Sequence, residues 1–487
     1  MQSKREKCLN LFLYLANLAL VVPVMIGTGY TYLCEDDFSF ESGAADLAVK
    51  YGSTFLGAVH AAIGGAKWSE GTWFGTFMIH FITPYTRWRL PGYHFVMFLQ
   101  AFFFAWGLYY LTSAIAKRKT PALALTFAGL AAAFLMVGRA NDELFFWYTG
   151  SMFYTMELSM AMFAAGSCLR YYENLGTGKA WKYLALSCVL GFLVGGGMLE
   201  VVSPNCAWLL LIFILCGTVE KKRWQTVIPF LSALAGALLN VIQPGNYMRS
   251  EEDMVEGHVT ALDALRDGVV CYINESKTML SSPLFWLFFA FVFCVAVIFA
   301  VKVRPAGMTA GWLGLALLAV VLIQYFTIFP VVFGYHGDSL KTYRTSATYG
   351  IVGRWMWMLF AACLGQWVSE HLHGRKALVP AAAAFAAAVI FAGIRFPQTV
   401  LDVKQGFSYC IAADLYRGNI QRTYDVRQYV ISEMEMGGED EDVILFIDRD
   451  ISNRSMYGMG LVADCGWVVN ESAARLFHVR TVTVIYE

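Results

Sequence analysis

Runs of about twenty apolar residues recur along most of this chain, and that repetition constrains its fold more than any other feature. A run of 18 or more residues with few charges fits a helix that crosses a bilayer. Only helices and closed barrels satisfy backbone hydrogen bonds in lipid, and these runs are too long and too evenly apolar for barrel strands. Spans are expected near 9–31, 91–116, 121–138, 153–170, 183–201, 203–219, 225–243, 282–301, 308–333, 350–370 and 377–395, eleven in all. Only 15% of the 487 residues are charged, against about 25% in a soluble domain. The expected fold is therefore an all-α polytopic membrane protein. The N-terminal MQSKREK mimics a signal peptide, but the apolar run behind it is too long and lacks a small-x-small cleavage site. It reads as an uncleaved first helix.

Basic residues then orient the spans. KREK (4–7), KRK (117–119), Lys179 with Lys182, KKR (221–223), KVR (302–304) and GRK (374–376) fall in every second connection, each of them short. The positive-inside rule puts these loops and the N-terminus in the cytoplasm. The other connections, 32–90, 139–152, 244–281 and 334–349, are then extracytoplasmic, as is the segment from 396 to 487. Residues 41–90 hold apolar stretches too short or interrupted for secure spans, and their aromatic content suits helices lying in the headgroup plane. The tail changes character: DVRQYVISEMEM looks helical, while DVILFIDR and VRTVTVIYE look like strands. Two units are expected, a membrane domain over 1–395 and an extracytoplasmic α/β segment over 396–487. Zero formal net charge gives no reason to expect nucleic acid, and eleven scattered cysteines without a CxxC pair signal neither zinc nor a disulfide framework.

Unusual polar residues gather on the extracytoplasmic side. TYLCEDDFSF (31–40) sets Glu35, Asp36 and Asp37 right after the first span. RANDELFFWYTGSM (139–152) carries Asp142, Glu143, Trp147 and Tyr148. Glu157 and Glu200 lie just inside spans, Asn246 and Arg249 at a helix end, and His336, Asp338, Lys341 and Arg344 in FGYHGDSLKTYRT; Arg354 follows a turn into the next span. Most such features have plain explanations. Carboxylates at helix ends are solvated, Arg87 and Arg89 snorkel toward headgroups, and Trp and Tyr at this depth form an aromatic belt. Glu157 and Glu200 are harder to explain so, because ionisable groups inside a span usually face a wet cavity or a partner. Like charges at 35–37 repel, which raises a pKa and prepares a base.

A carboxylate pair directly after the first helix resembles the hallmark of the GT-C superfamily of integral-membrane glycosyltransferases. The likeness rests on DDFSF (36–40), WYTGSMFY (147–154), PGNYMR (244–249) and the stretch 334–344, and extends to the topology. Where many relatives carry a Gly-Arg pair in the first loop, this chain reads GTWFG (71–75). The resemblance implies a sugar donor on polyprenyl phosphate, a glycan or lipid acceptor at the cell surface, and inversion at the anomeric carbon. An acceptor hydroxyl needs a general base, for which Asp37 is preferred over Asp36. Arg249, Arg344 and Arg354, supported by Lys341, would hold the phosphate, since Arg recognises phosphate bidentately. Trp147 and Tyr148 would stack on a sugar, with Glu157, Glu200, His336 and Asn246 as further substrate contacts. The scheme needs no metal or other cofactor. Alternative classes are a transporter or flippase with Glu157 and Glu200 along its path, and a polysaccharide polymerase or ligase relying on His336 and Arg344.

Overall fold

The structure is a computed structural model that describes residues 4–68, 70–116, 118–219, 224–253, 260–299, 308–335, 343–372, 375–448 and 455–487. Among these residues, eight helices are long and apolar enough to cross a membrane: Glu6–Tyr30, Pro84–Ile115, Lys119–Met136, Leu199–Cys216, Trp224–Val241, Ala310–Phe333, Arg344–His371 and Lys376–Ile394. Leu262–Ser281 and Pro283–Phe299 make a ninth if they are one span broken by a 77° bend. The chain is a multi-pass helical membrane protein.

The difference from eleven expected spans has local causes. The 282–301 run is one limb of the bent pair. Ser282 is extended there, as a residue before proline prefers, and Pro283 starts a new helix. The 153–170 run is reached through a π-helix, Ser151–Met156, before regular helix resumes at Glu157–Glu173. The 183–201 run folds as Ala180–Gly195, 16 residues long. At 1.5 Å per residue it covers about 24 Å, short of a hydrocarbon core of about 30 Å. That helix packs closely on Val227–Val241, because Gly195 and Gly236 bring the two backbones together where a side chain would not fit.

In the first long loop, helices Asp37–Tyr51, Thr54–Trp68 and Trp73–Ile82 precede the Pro84–Ile115 span. An aromatic cluster fastens this end of the bundle: Phe145 lies 5.2 Å from Phe104 and 5.0 Å from Phe134 between ring centroids, and Phe146 lies 5.1 Å from Phe407.

Four carboxylates here each meet the start of a helix other than their own. Asp37 accepts from Thr149, Glu41 from Tyr85 and Thr86, Glu143 from Arg344 and Glu157 from Met198, in every case from a backbone N–H. The first N–H groups of a helix have no partner within it, and the helix dipole favours negative charge there. Away from water, a carboxylate on a neighbouring helix satisfies both demands.

The C-terminal stretch begins with helices Phe396–Gln405 and Phe407–Tyr416; Ser408 donates to the Leu20 carbonyl at 2.6 Å, seating the second against the first span. Helix Asn419–Met436, strand β1 (Asp442–Ile447), helix Val468–Phe477 and strand β2 (Thr481–Tyr486) follow. The strands pair in parallel with Val443 opposite Val482 and Ile447 opposite Tyr486. Phe477 packs 6.4 Å from Phe38 and 5.9 Å from Tyr85, so this unit rests directly on the first long loop.

Candidate active site

The three consecutive carboxylates divide sharply. The first span relaxes through a short 3-10 turn, Thr28–Tyr30, into extended chain, and helix Asp37–Tyr51 starts after the turn at 35–36. This turns Asp37 inward, where it is fully buried. One carboxylate oxygen accepts from Thr149 N–H at 3.0 Å and Thr149 Oγ1 at 2.7 Å; the other accepts from Tyr93 OH at 2.7 Å and Cys34 N–H at 3.2 Å. Burial pushes its pKa up to about 7, and these hydrogen bonds limit the rise. With four donors in place and no exposed surface, Asp37 ties three elements together and offers no free lone pair to a ligand. Asp36 is exposed and Glu35 half-buried. Of the expected pair, Asp36 is the one open to solvent.

Opposite this turn stands Arg344, the second residue of helix Tyr343–His371. Its backbone N–H donates to Glu143 Oε2 at 3.2 Å and its guanidinium approaches the same oxygen at 3.6 Å. Burial raises the Glu143 pKa, and Arg344 opposes the rise. The Glu35 pKa is likewise raised, by burial first and then by the charges of Asp36 and Glu143, with Arg344 again opposing. Glu200 lies within electrostatic range of Arg344 and accepts a long 3.5 Å hydrogen bond from Thr345. The result is a charged cluster in which the buried Glu143 and Glu200 and the Glu35–Asp36 turn surround Arg344, brought together from four distant parts of the chain.

Trp147 and Tyr148, expected as a sugar platform, are both buried. The Trp147 ring is stacked by Tyr457 at 5.2 Å and approached by the Arg344 guanidinium at 5.5 Å. Tyr148 packs 5.8 Å from Tyr93 and donates to the Ile79 carbonyl at 3.3 Å. Neither ring presents an open face. Asn246 also serves the backbone: its Oδ1 accepts from Gly71 N–H at 2.7 Å and its Nδ2 donates to the Asn240 carbonyl at 2.8 Å. Glu157 is fully buried, accepts from Met198 N–H at 2.7 Å, and has an Oε1 with no hydrogen-bond partner.

Arg354 does not join the cluster. Ten residues separate it from Arg344 on one helix, about 15 Å along the axis, and it lies near Tyr349, Glu275 and Asp402 instead. One phosphate cannot bridge both. His336 and Lys341 fall outside the described residues, as does the side chain of Arg249. Among the described residues, no group of three or more His, Cys, Asp or Glu is arranged to hold a metal ion.

The sequence reading missed Glu35 and Glu143 as residues of this cluster and Tyr457 altogether. The first two stood inside acidic clusters that local pattern cannot divide into inward and outward members. Tyr457 gave no signal, because it reaches the cluster only through the tertiary fold. Neither a family model, nor a curated protein, nor a solved structure matches this chain.

Proposed function

We propose that the protein is a membrane glycosyltransferase that moves a sugar from a polyprenyl-phosphate donor to a surface glycan or lipid acceptor on the extracytoplasmic side. The GT-C resemblance of the sequence suggests this reading. One observation supports it most: the turn after the first span brings the Glu35 carboxylate within electrostatic range of Arg344, on a chain-distant helix that also pairs with Glu143. In this reading Asp36 is the general base for the acceptor hydroxyl, because it is accessible, and Asp37 holds the turn that carries it. Arg344 faces the donor phosphate, and inversion follows from direct displacement. No step requires a metal. The topology proposed with it has eleven crossings, a cytoplasmic N-terminus and an extracytoplasmic C-terminus.

Surface glycans are to be compared between wild type, a deletion strain, and the Asp36→Asn and Asp37→Asn variants. The expected result is a glycan altered alike by deletion and by Asp36→Asn, with Asp36→Asn protein present at wild-type level. Unchanged glycans in all strains would sink the enzyme reading. Orientation is tested separately with an impermeant thiol reagent, since Cys8 and Cys465 are both exposed. Cys465 is expected to react on intact cells and Cys8 only after lysis; the reverse pattern inverts the topology.

A second reading, a transporter or flippase, draws on Glu157 and its unpartnered buried oxygen. It predicts that Glu157→Gln lowers uptake of a polar substrate and leaves glycans alone. A polymerase or ligase reading depended on His336, on which the described residues are silent.

A further inference from the structure

The C-terminal unit meets the turn that carries Glu35 through residues 455–462. Both ends of that piece are pinned by buried polar side chains. Ser455 Oγ donates to Asp414 Oδ2 at 2.9 Å, and Asn470 exchanges hydrogen bonds with both the N–H (3.1 Å) and the carbonyl (2.7 Å) of Val462. Between these anchors the strap crosses the turn after the first span and meets it three times. Tyr32 OH donates to the Tyr457 carbonyl at 2.7 Å, and Glu35 N–H donates to the Met459 carbonyl at 2.9 Å. The Glu35 carboxylate lies directly on Gly460, so closely that a Cβ there would overlap it.

Glu35 also has a left-handed backbone, with φ of 47°. A non-glycine residue held there is strained, and such strain persists only where surrounding contacts over-determine it. The strap supplies those contacts. Gly460 itself has a φ of +76°, so two left-handed residues face each other where strap and turn meet.

We propose that strap 455–462 is part of the site: it locks Glu35 into its left-handed conformation and so aims the Glu35 carboxylate at the Arg344–Glu143 pair. Glu35 and Gly460 are then positioning residues for the cluster, and the C-terminal unit completes the site instead of merely covering it. This rests on the glycosyl-transfer reading for its functional half only.

The test uses two glycines of the strap. At Gly458 an added methyl meets nothing within 4 Å, whereas at Gly460 it strikes Glu35. In the full-length purified protein, hydrogen exchange at the Glu35 amide is expected to be about tenfold faster in Gly460→Ala and unchanged in Gly458→Ala, since local opening sets exchange. Adding Glu35→Gly to Gly460→Ala removes the overlap and the strain at position 35, leaving only that of the methyl at the +76° φ of position 460, and should restore most of the protection of that amide. It should not restore the glycan, because the aimed carboxylate is gone; a purely structural strap would restore both. Wild-type protection in Gly460→Ala overturns the lock. Wild-type glycans in Glu35→Gly, in a strain whose deletion alters them, overturn the positioning role. If deletion itself changes no glycan, the transfer reading has failed, and the exchange comparison alone decides the strap.

Discussion

Asp37 and Glu157 are both fully buried carboxyls at the start of another helix, but their surroundings differ. Asp37 receives four N–H and O–H donors and the Cys34 thiol on two oxygens, whereas Glu157 receives one donor and leaves an oxygen unpaired. Around Asp37 the fold supplies hydroxyls and backbone N–H groups from the first turn, the Pro84–Ile115 span and the Tyr148–Gly150 turn. Around Glu157 it supplies mostly glycine: the carboxyl fits against Gly75 and Gly197, where side chains would overlap it. One site is held by polar satisfaction and the other by tight packing. The same residue class at the same kind of helix end therefore says little about charge or access until its donors are counted.

The largest expected effect is at Asp37. Replacing it by Ala leaves Thr149, Tyr93 and Cys34 donors unpaired in a buried place, at a cost on the order of 4 kcal/mol. Thermal unfolding of the purified protein should show this as a large loss of stability, while Asp36→Asn leaves the melting temperature within error. Equal effects at the two neighbours would erase the distinction between them.

At Glu157 the expectation is graded. Glu157→Ala strands the Met198 N–H and opens a cavity, for about 2–4 kcal/mol. Glu157→Gln keeps an oxygen for Met198 and places its amide where the unpaired oxygen sits, so a change within about 1 kcal/mol is expected. A Gln variant as unstable as the Ala variant would mean that packing is not what holds this carboxyl.

Asp37 also gives stability a pH dependence. The Asp37 pKa is raised in the folded protein to about 7, from about 4 in an unfolded chain. Between those values the folded state binds the extra proton, so the Asp37 contribution makes stability fall as pH rises from about 4 to about 7, then level off. Subtracting the Asp37→Asn profile from that of wild type isolates this slope, and an opposite sign would mean that the hydrogen bonds outweigh burial.

Much of the membrane architecture was legible in the sequence, because hydropathy is a local property read within one window. The expected and observed sets of spans part where geometry departs from a straight rod: the bend before Pro283, the π-helix at Ser151–Met156 and the short Ala180–Gly195 helix. The site was legible only as a neighbourhood. EDD marked the right turn, yet Asp37 finds Tyr93 and Thr149 at separations of 56 and 112 residues, and no local pattern says which acid will turn toward them. Trp147 and Tyr148 read as a sugar platform for the same reason, since the residues that cover them lie far away in the chain. Arg344 and Arg354 illustrate the converse: the resemblance gave them one phosphate to share, but helical rise separates them.

The bond between Tyr32 and the Tyr457 carbonyl joins groups 425 residues apart. During synthesis, the strap follows the turn it holds by those 425 residues. Until it has emerged and folded, Glu35 has nothing to hold it in its strained geometry. A chain interrupted between the last described membrane helix and the strap can therefore keep those helices and still leave the turn unlatched.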